Sequence, residues 1–297
     1  MKSDFFGNPT RSISSQYLRL EFLTRAGPRI VGLFLAGSDQ NLLAELPELK
    51  QETLYGEYYF FGGHRLWHAP EAFPRTYIPD NEGLEYEVTS GGVNLKGIPE
   101  QATGIQKFIH IELFSDRPGL KLHHRLQNNG LWPVELAPWA ITQLPLGGMG
   151  VFPQTVGPLD QSGLLPNRCI VLWPYTGWGD SRMQLNNDYI LVHAEPRLPP
   201  VKIGYLNRCG WAGYLQDDIF FCKRFVPRLD QQHVDFGCNC ESYCNNQFFE
   251  LETLGPVSRL EPGQEAVHIE EWEIYPVQNI PRTLKGVQEL VEKLSLA

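Results

Sequence analysis

Two short stretches concentrate the side chains that bind ligands and move protons. The first, Gly62-Gly63-His64-Arg65-Leu66-Trp67-His68-Ala69-Pro70-Glu71, brings together two imidazoles, a guanidinium, an indole and a carboxylate. Arg65 supplies forked donors for hydroxyl groups, and Trp67 offers a flat apolar face on which a pyranose ring can pack. The glycines let backbone come close to a ligand. His64 is the acid–base candidate of this block, with His68 and Glu71 as candidate binding groups. A structural alternative pairs Arg65 with Glu71 to tie down a Pro-rich loop.

The second stretch, Gln247-Phe248-Phe249-Glu250-Leu251-Glu252-Thr253-Leu254, alternates as a strand does, so Glu250 and Glu252 project from one face. Two residues of rise separate them by roughly 6.6 Å. Neighbouring carboxylates raise each other's proton affinity, which suits one of them to serve as a general base near neutral pH. Lys202 sits alone among apolar neighbours and needs a partner such as Glu252, or a ligand. Trp173, Tyr175, Trp178, Trp211 and Tyr214 are further aromatic platforms on which a sugar could pack, with core packing an equal alternative.

These groups have to be positioned by strands. Runs rich in Val, Ile, Leu, Tyr, Phe and Trp alternate with polar residues and break at Gly, Pro, Asn and Asp. The clearest are 17–23, 29–35, 84–88, 107–113, 120–128, 134–144, 190–193, 219–224 and 247–254. Asp116-Arg117-Pro118-Gly119 opens the 120–128 run, and Asn128-Asn129-Gly130 closes it into a predicted hairpin. Within that run His124 shares a face with Leu122 and Leu126 and reads as a core residue, whereas His123 faces water. Only the stretch from Thr283 reads as a helix, its stripe of Leu284, Val287, Leu290, Val291 and Leu294 docking on a sheet. The Pro/Gly-rich segment 144–166 reads as a long loop over the binding groove. No repeat or linker divides the chain, so residues 1–297 are expected to form one all-β domain.

Composition narrows the function. With 42% apolar and 20% charged residues the chain can build a large core. A net charge of -9 without any Lys/Arg cluster argues against nucleic acid as a partner. No apolar run approaches the roughly 18 residues of a membrane span, and an acid and a glycine interrupt the N-terminal stretch, so a cytoplasmic protein without a membrane partner is expected. Zinc sites usually pair ligands as C-x2–4-C across a turn, whereas Cys238-Asn239-Cys240 places both thiols on one face of a strand; Cys238, Cys240 and Cys244 read as buried reduced thiols, and no metal site is expected.

The order of these segments resembles that of the aldose 1-epimerases, the galactose mutarotase family. Glu252-Thr253 is similar to the start of its Glu-Thr-Gln strand, and Leu260-Glu261-Pro262-Gly263 and Glu271-Trp272-Glu273-Ile274 to its closing strands. His64-Arg65-Leu66 resembles its Asn-Arg-Ile. The resemblance implies a galactose-mutarotase-like β-supersandwich with an open sugar groove. It also implies Glu252 as the base on the anomeric hydroxyl, Arg65 as a substrate-binding group, and no cofactor. Pro133-Val134-Glu135-Leu136-Ala137-Pro138-Trp139-Ala140 resembles the strand of the family's catalytic histidine, with Trp139 at the histidine position. An indole cannot donate that proton, so His64, His68 or Lys202 would have to act as the acid. Failing that, the protein is a non-catalytic sugar binder. A small-molecule sugar is the expected partner, to a monomer or weak homodimer.

Overall fold

The computed structural model describes residues 3–296, and strands dominate it. Alternation of apolar and polar residues gives strands such as Gly119–Asn128 and Glu265–Pro276 one face to bury, and two broad antiparallel sheets satisfy them by stacking. One sheet has eleven strands and the other ten, with a separate hairpin formed by Glu45–Thr53 and Gly56–Gly62. Apolar side chains from both sheets meet in one cluster, including Leu20, Ile30, Leu66 and Leu251 from one and Ile109, Leu122, Phe221 and Trp272 from the other. This is the all-β sandwich that the alternation implies.

Five neighbouring strands at the middle of the eleven-stranded sheet matter most: His64–Ala69, Val134–Leu144, Phe249–Leu254, Cys240–Cys244 and Val201–Tyr205. Their register sets Trp67 opposite Trp139, Arg65 opposite Ile141, Ile141 opposite Glu252, Gln143 opposite Glu250, and Glu250 opposite Tyr243. Tyr243 in turn lies opposite Lys202. Directly opposed residues share a sheet face, so all of these point outward from the sandwich. Their neighbours His64, Leu66, Thr142, Leu251 and Thr253 point inward.

Between the sheets runs a buried polar layer. His64 Nε2 and His124 Nε2 lie 2.7 Å apart, and His64 Nδ1 is 2.9 Å from Thr142 Oγ1. Lys223 Nζ lies 2.7 Å from Glu270 and donates to the carbonyls of Ala140 and Leu251 in the facing sheet. His124 is thus a satisfied core residue, as its leucine neighbours imply.

Three sequence expectations change. Asn128-Asn129-Gly130 does not close a hairpin: Gly119–Asn128 pairs with Ile105–Leu113 and Glu265–Pro276 in one sheet, while Val134–Leu144 belongs to the other. The Asn128 side chain donates to the carbonyls of Trp132 and Leu260, which fixes a crossover between layers. The Gly62-Gly63 pair brings backbone close to backbone, not to a ligand. An added Cβ would stand 2.0 Å from the Ala44 carbonyl oxygen at Gly62 and 1.9 Å from that of Ile30 at Gly63. The segment 144–166 is no continuous loop either, since Met149–Pro153 is a central strand of the second sheet. The helix Leu284–Leu294, N-capped by Thr283, does dock on a sheet: Val287, Leu290 and Val291 pack with Met149, Val151, Leu191 and Phe220. Trp211 lies in the same cluster and Tyr214 in the main core, so neither is a free platform.

Gly63 also has a φ of +64°, which disfavours any side chain. Gly63→Ala is expected to cost about 2–4 kcal/mol of unfolding free energy, combining strain with displaced backbone. Equilibrium denaturant unfolding measures this, and a loss under about 0.5 kcal/mol, the range of an ordinary surface change, would contradict it.

Candidate functional site

The outward face of the five central strands floors a groove of about 390 Å³, within the usual range for a small-molecule site. Arg65, Trp67, Trp139, Lys202, Tyr243 and Glu250 line it from the sheet, and Glu71, Tyr77, Trp173 and Tyr175 from the connecting segments. Phe60 and residues 49–51, from the separate hairpin, complete one wall. An adjoining cavity of about 450 Å³ shares Glu71, Tyr77, Trp139, Trp173 and Lys202 and adds Asp235.

Each wall is held by polar contacts. Trp67 Nε1 donates to Tyr58 Oη at 2.7 Å, and the Trp67 ring meets Trp139 edge-on with centroids 5.4 Å apart. The Trp173–Thr176 turn is tied to the Val201–Tyr205 strand by reciprocal bonds: Thr176 Oγ1 donates to the Lys202 carbonyl at 2.9 Å and accepts from its amide at 2.8 Å. Tyr77 Oη donates to Glu71.

Two buried cations organise the carboxylates. Arg65 Nη2 donates to Glu250 Oε1 at 2.8 Å, and Gln143 Nε2 donates to the same oxygen at 3.0 Å. The guanidinium also stacks over Trp67, 4.2 Å from the ring centroid. Lys202 Nζ sits 3.1 Å from Glu252 Oε2 and 2.9 Å from Glu241 Oε2, between the rings of Trp139 and Trp173 at 4.6 Å from each centroid. Trp139 Nε1 donates to Glu252 Oε2 at 2.7 Å. One ammonium therefore serves two fully buried carboxylates.

The two glutamates of the Phe249–Leu254 strand consequently differ. Glu252 is wholly buried beneath Trp139 and Lys202 and does not line the groove. Glu250 does line it, and its Oε2 has no partner among the described residues. Burial, opposed by Arg65 and reinforced by Glu252, pushes Glu250 up to about 7. Burial likewise pushes Glu241 up to about 8, against Lys202 and with Glu252 and Asp235 adding to it. Lys202 is held well above the usual lysine range: burial works against its charge, and Glu241 and Glu252 outweigh it.

Of the residues singled out from sequence, Arg65, Trp67, Glu71, Trp139, Lys202 and Glu250 come together in the groove, and Glu252 lies directly beneath. His64 and His68 do not reach it. Strand alternation turns both to the opposite face of His64–Ala69, where His64 joins the interior layer and His68 Nε2 lies 3.2 Å from Glu100. Arg65 pairs with Glu250 in place of Glu71. His64, His124 and Glu270 are the one group with metal-ligand spacing among the described residues, within 4.8 Å of each other, and Lys223 already supplies a cation there. Sequence reasoning missed Glu241, Tyr243 and Asp235. The alternation of Cys240-Glu241-Ser242-Tyr243-Cys244 carries the first two, masked by attention to its cysteines, which are buried free thiols.

No protein-family model matches the sequence, and neither does any curated protein. Solved structures do match. A galactose mutarotase-like protein from Lactobacillus casei superposes with a TM-score of 0.52 at 11% identity, over 90% of this chain and 100% of its own. A candidate aldose 1-epimerase from Escherichia coli K12 gives 0.56 at 13% identity, over 90% and 99%. A TPR-domain containing protein from Parabacteroides distasonis gives 0.63 at 14% identity, over 93% of this chain and 50% of its own. The chain has the galactose-mutarotase-like β-sandwich fold. No helix among the described residues is long and apolar enough to cross a membrane.

The buried titrating groups set a pH optimum for stability. Burial holds His64 and His68 below the ordinary histidine range, His124 at about 4 and His268 at about 3. All four bind a proton less readily in the fold than in the unfolded chain, so stability falls as pH drops below about 6.5. Glu250 and Glu241 keep their protons in the fold to about 7 and about 8, whereas the unfolded chain loses them near 4.5. That difference removes stability as pH rises, and it acts unopposed above 6.5. Thermal unfolding across pH is expected to show greatest stability near pH 6.5; a curve still climbing at pH 8 would contradict the assignment.

Proposed function

We propose that the protein binds a monosaccharide in the aromatic groove and interconverts its anomers, as an aldose 1-epimerase-like isomerase with Glu250 as the base. The observation that carries this reading is Glu250 itself: a groove-lining carboxylate pushed up to about 7, with one oxygen fixed by Arg65 and Gln143 and the other unpartnered. A base is most effective when its pKa lies near the working pH. Trp67, Trp139 and Trp173 supply faces for the apolar side of a pyranose, and Arg65 and Lys202 keep the surrounding carboxylates fixed.

In this scheme Glu250 takes the proton of the anomeric hydroxyl as the ring oxygen is protonated and the bond between C1 and the ring oxygen opens. Rotation about the bond from C1 to C2 and reclosure give the other anomer. Among the three acids considered for Trp139's missing function, only Lys202 lines the groove, and its ammonium is the donor to the ring oxygen. Its two glutamate partners hold that proton tightly, which makes for a slow enzyme. This same feature favours the second reading, a sugar-binding protein without catalysis.

NMR exchange spectroscopy on the α and β anomers of glucose and galactose tests the proposal. Wild-type protein is expected to accelerate exchange above buffer, and Glu250→Gln to lower the acceleration about 100-fold, the low end of general-base contributions. The wild-type rate should rise with pH through about 7, as Glu250 ionises. Binding without acceleration would establish the non-catalytic reading.

A further inference from the structure

The charge around the groove is lopsided, and both of its buried cations are already engaged. Five carboxyl groups stand in or directly beneath the groove and its adjoining cavity: Glu71, Asp235, Glu241, Glu250 and Glu252. Arg65 is held by Glu250 and covered by the Trp67 ring. Lys202 is held by Glu241 and Glu252 and sandwiched between Trp139 and Trp173. Lys50, at the rim, is paired with Glu57. Each of the three basic side chains of the lining already faces a carboxylate, and only Nε and Nη1 of Arg65 are left without a hydrogen-bond partner.

Unpartnered acceptors outnumber those two donors. Glu241 Oε1, Glu252 Oε1 and Gln143 Oε1 are buried and have no hydrogen-bond partner. Glu241 and Glu252 are each at least nine-tenths buried. Glu250 presents its second oxygen to the groove, Glu71 lines both spaces, and Asp235 lines the adjoining one. Aromatic rings, which attract cations through their faces, make up much of the remaining wall. Bringing a positive charge here relieves repulsion among buried carboxylates, whereas a negative charge adds to it at low dielectric.

We propose that the groove selects a sugar bearing a protonated amine, an aminohexose, over both its uncharged parent and phosphorylated sugars. This rests on the sugar reading above and deepens it by naming the ligand class. The amine lies against Glu71 and Asp235, on the side where the two spaces join, and the pyranose ring packs on Trp139 and Trp173. Binding then releases protons from carboxyl groups that burial keeps protonated, because the ammonium stabilises their ionised forms.

Isothermal titration calorimetry on the full chain tests this with glucose, glucosamine, N-acetylglucosamine and glucose 6-phosphate, and with the galactose and mannose counterparts. On at least one scaffold the amine is expected to bind about tenfold or more tighter than its parent, the size of one additional charge contact. Acetylation should abolish that gain, and phosphate should bind weakest. Repeating the titration in buffers of different ionisation enthalpy should reveal net proton release with the amine. The Glu71→Gln/Asp235→Asn double variant should bring the amine-to-parent affinity ratio close to one, a ratio that is read only on protein that still binds. A phosphorylated or acetylated sugar that binds as tightly as the amine overturns the proposal, as does an unchanged ratio in the double variant. If the uncharged parent binds and the amine gains nothing, charge selection falls while the sugar reading stands. If no sugar of any charge binds, the sugar reading falls and takes this proposal with it.

Discussion

Lys202 is shared between two buried glutamates, and much of the groove follows from that arrangement. Its ammonium joins Glu252 on one strand to Glu241 on the next, from a third strand beyond them. Removing a single partner from such a network typically costs 3–5 kcal/mol, since the remaining charge stays buried without compensation. Lys202 also fixes the faces of Trp139 and Trp173 on either side of itself. The aromatic floor and the ionic network are therefore one structure, and neither can be altered without the other.

This network decides which carboxylate reaches the groove. Glu252 receives the Trp139 indole and the Lys202 ammonium on a single oxygen and is sealed from the groove. Trp139 stands where the family resemblance implies a histidine, and Glu252 where it implies the base. In this protein those two positions are turned towards each other. Two residues along the strand, Glu250 keeps the outward aspect, with Arg65 orienting it from across the sheet. In the proposed scheme the proton-transfer role therefore falls to Glu250 and not to Glu252.

Much of this was legible in the chain. The half-buried strand Gly119–Asn128 announces itself by alternation, and the helix after Thr283 by its stripe. The shared face of Glu250 and Glu252, and the need of Lys202 for an acidic partner, follow from strand period and desolvation alone. The strand His64–Ala69 was harder to read, because both of its faces are buried and its polar residues find partners on either side. Alternation does assign His64 and Arg65 to opposite faces, but it does not tell which face is the groove. Which of the two glutamates reaches solvent depends on Trp139, 113 residues away in sequence, and on Lys202, 50 residues away. No local pattern carries that information. The crossover after Asn128 failed for a related reason: its turn residues fit a hairpin locally, and only the pairing of distant strands sends the chain into the other layer.

The central claim is that Glu250 is the proton-exchanging carboxyl of a sugar groove. The most direct measurement is its own titration, by carbon-13 NMR of labelled glutamate carboxyls, assigned by loss of the signal in Glu250→Gln and repeated with saturating sugar. The account predicts a carboxyl titrating near 7 whose midpoint moves when sugar is added. A Glu250 signal titrating near 4.5, and indifferent to every sugar tried, would contradict it.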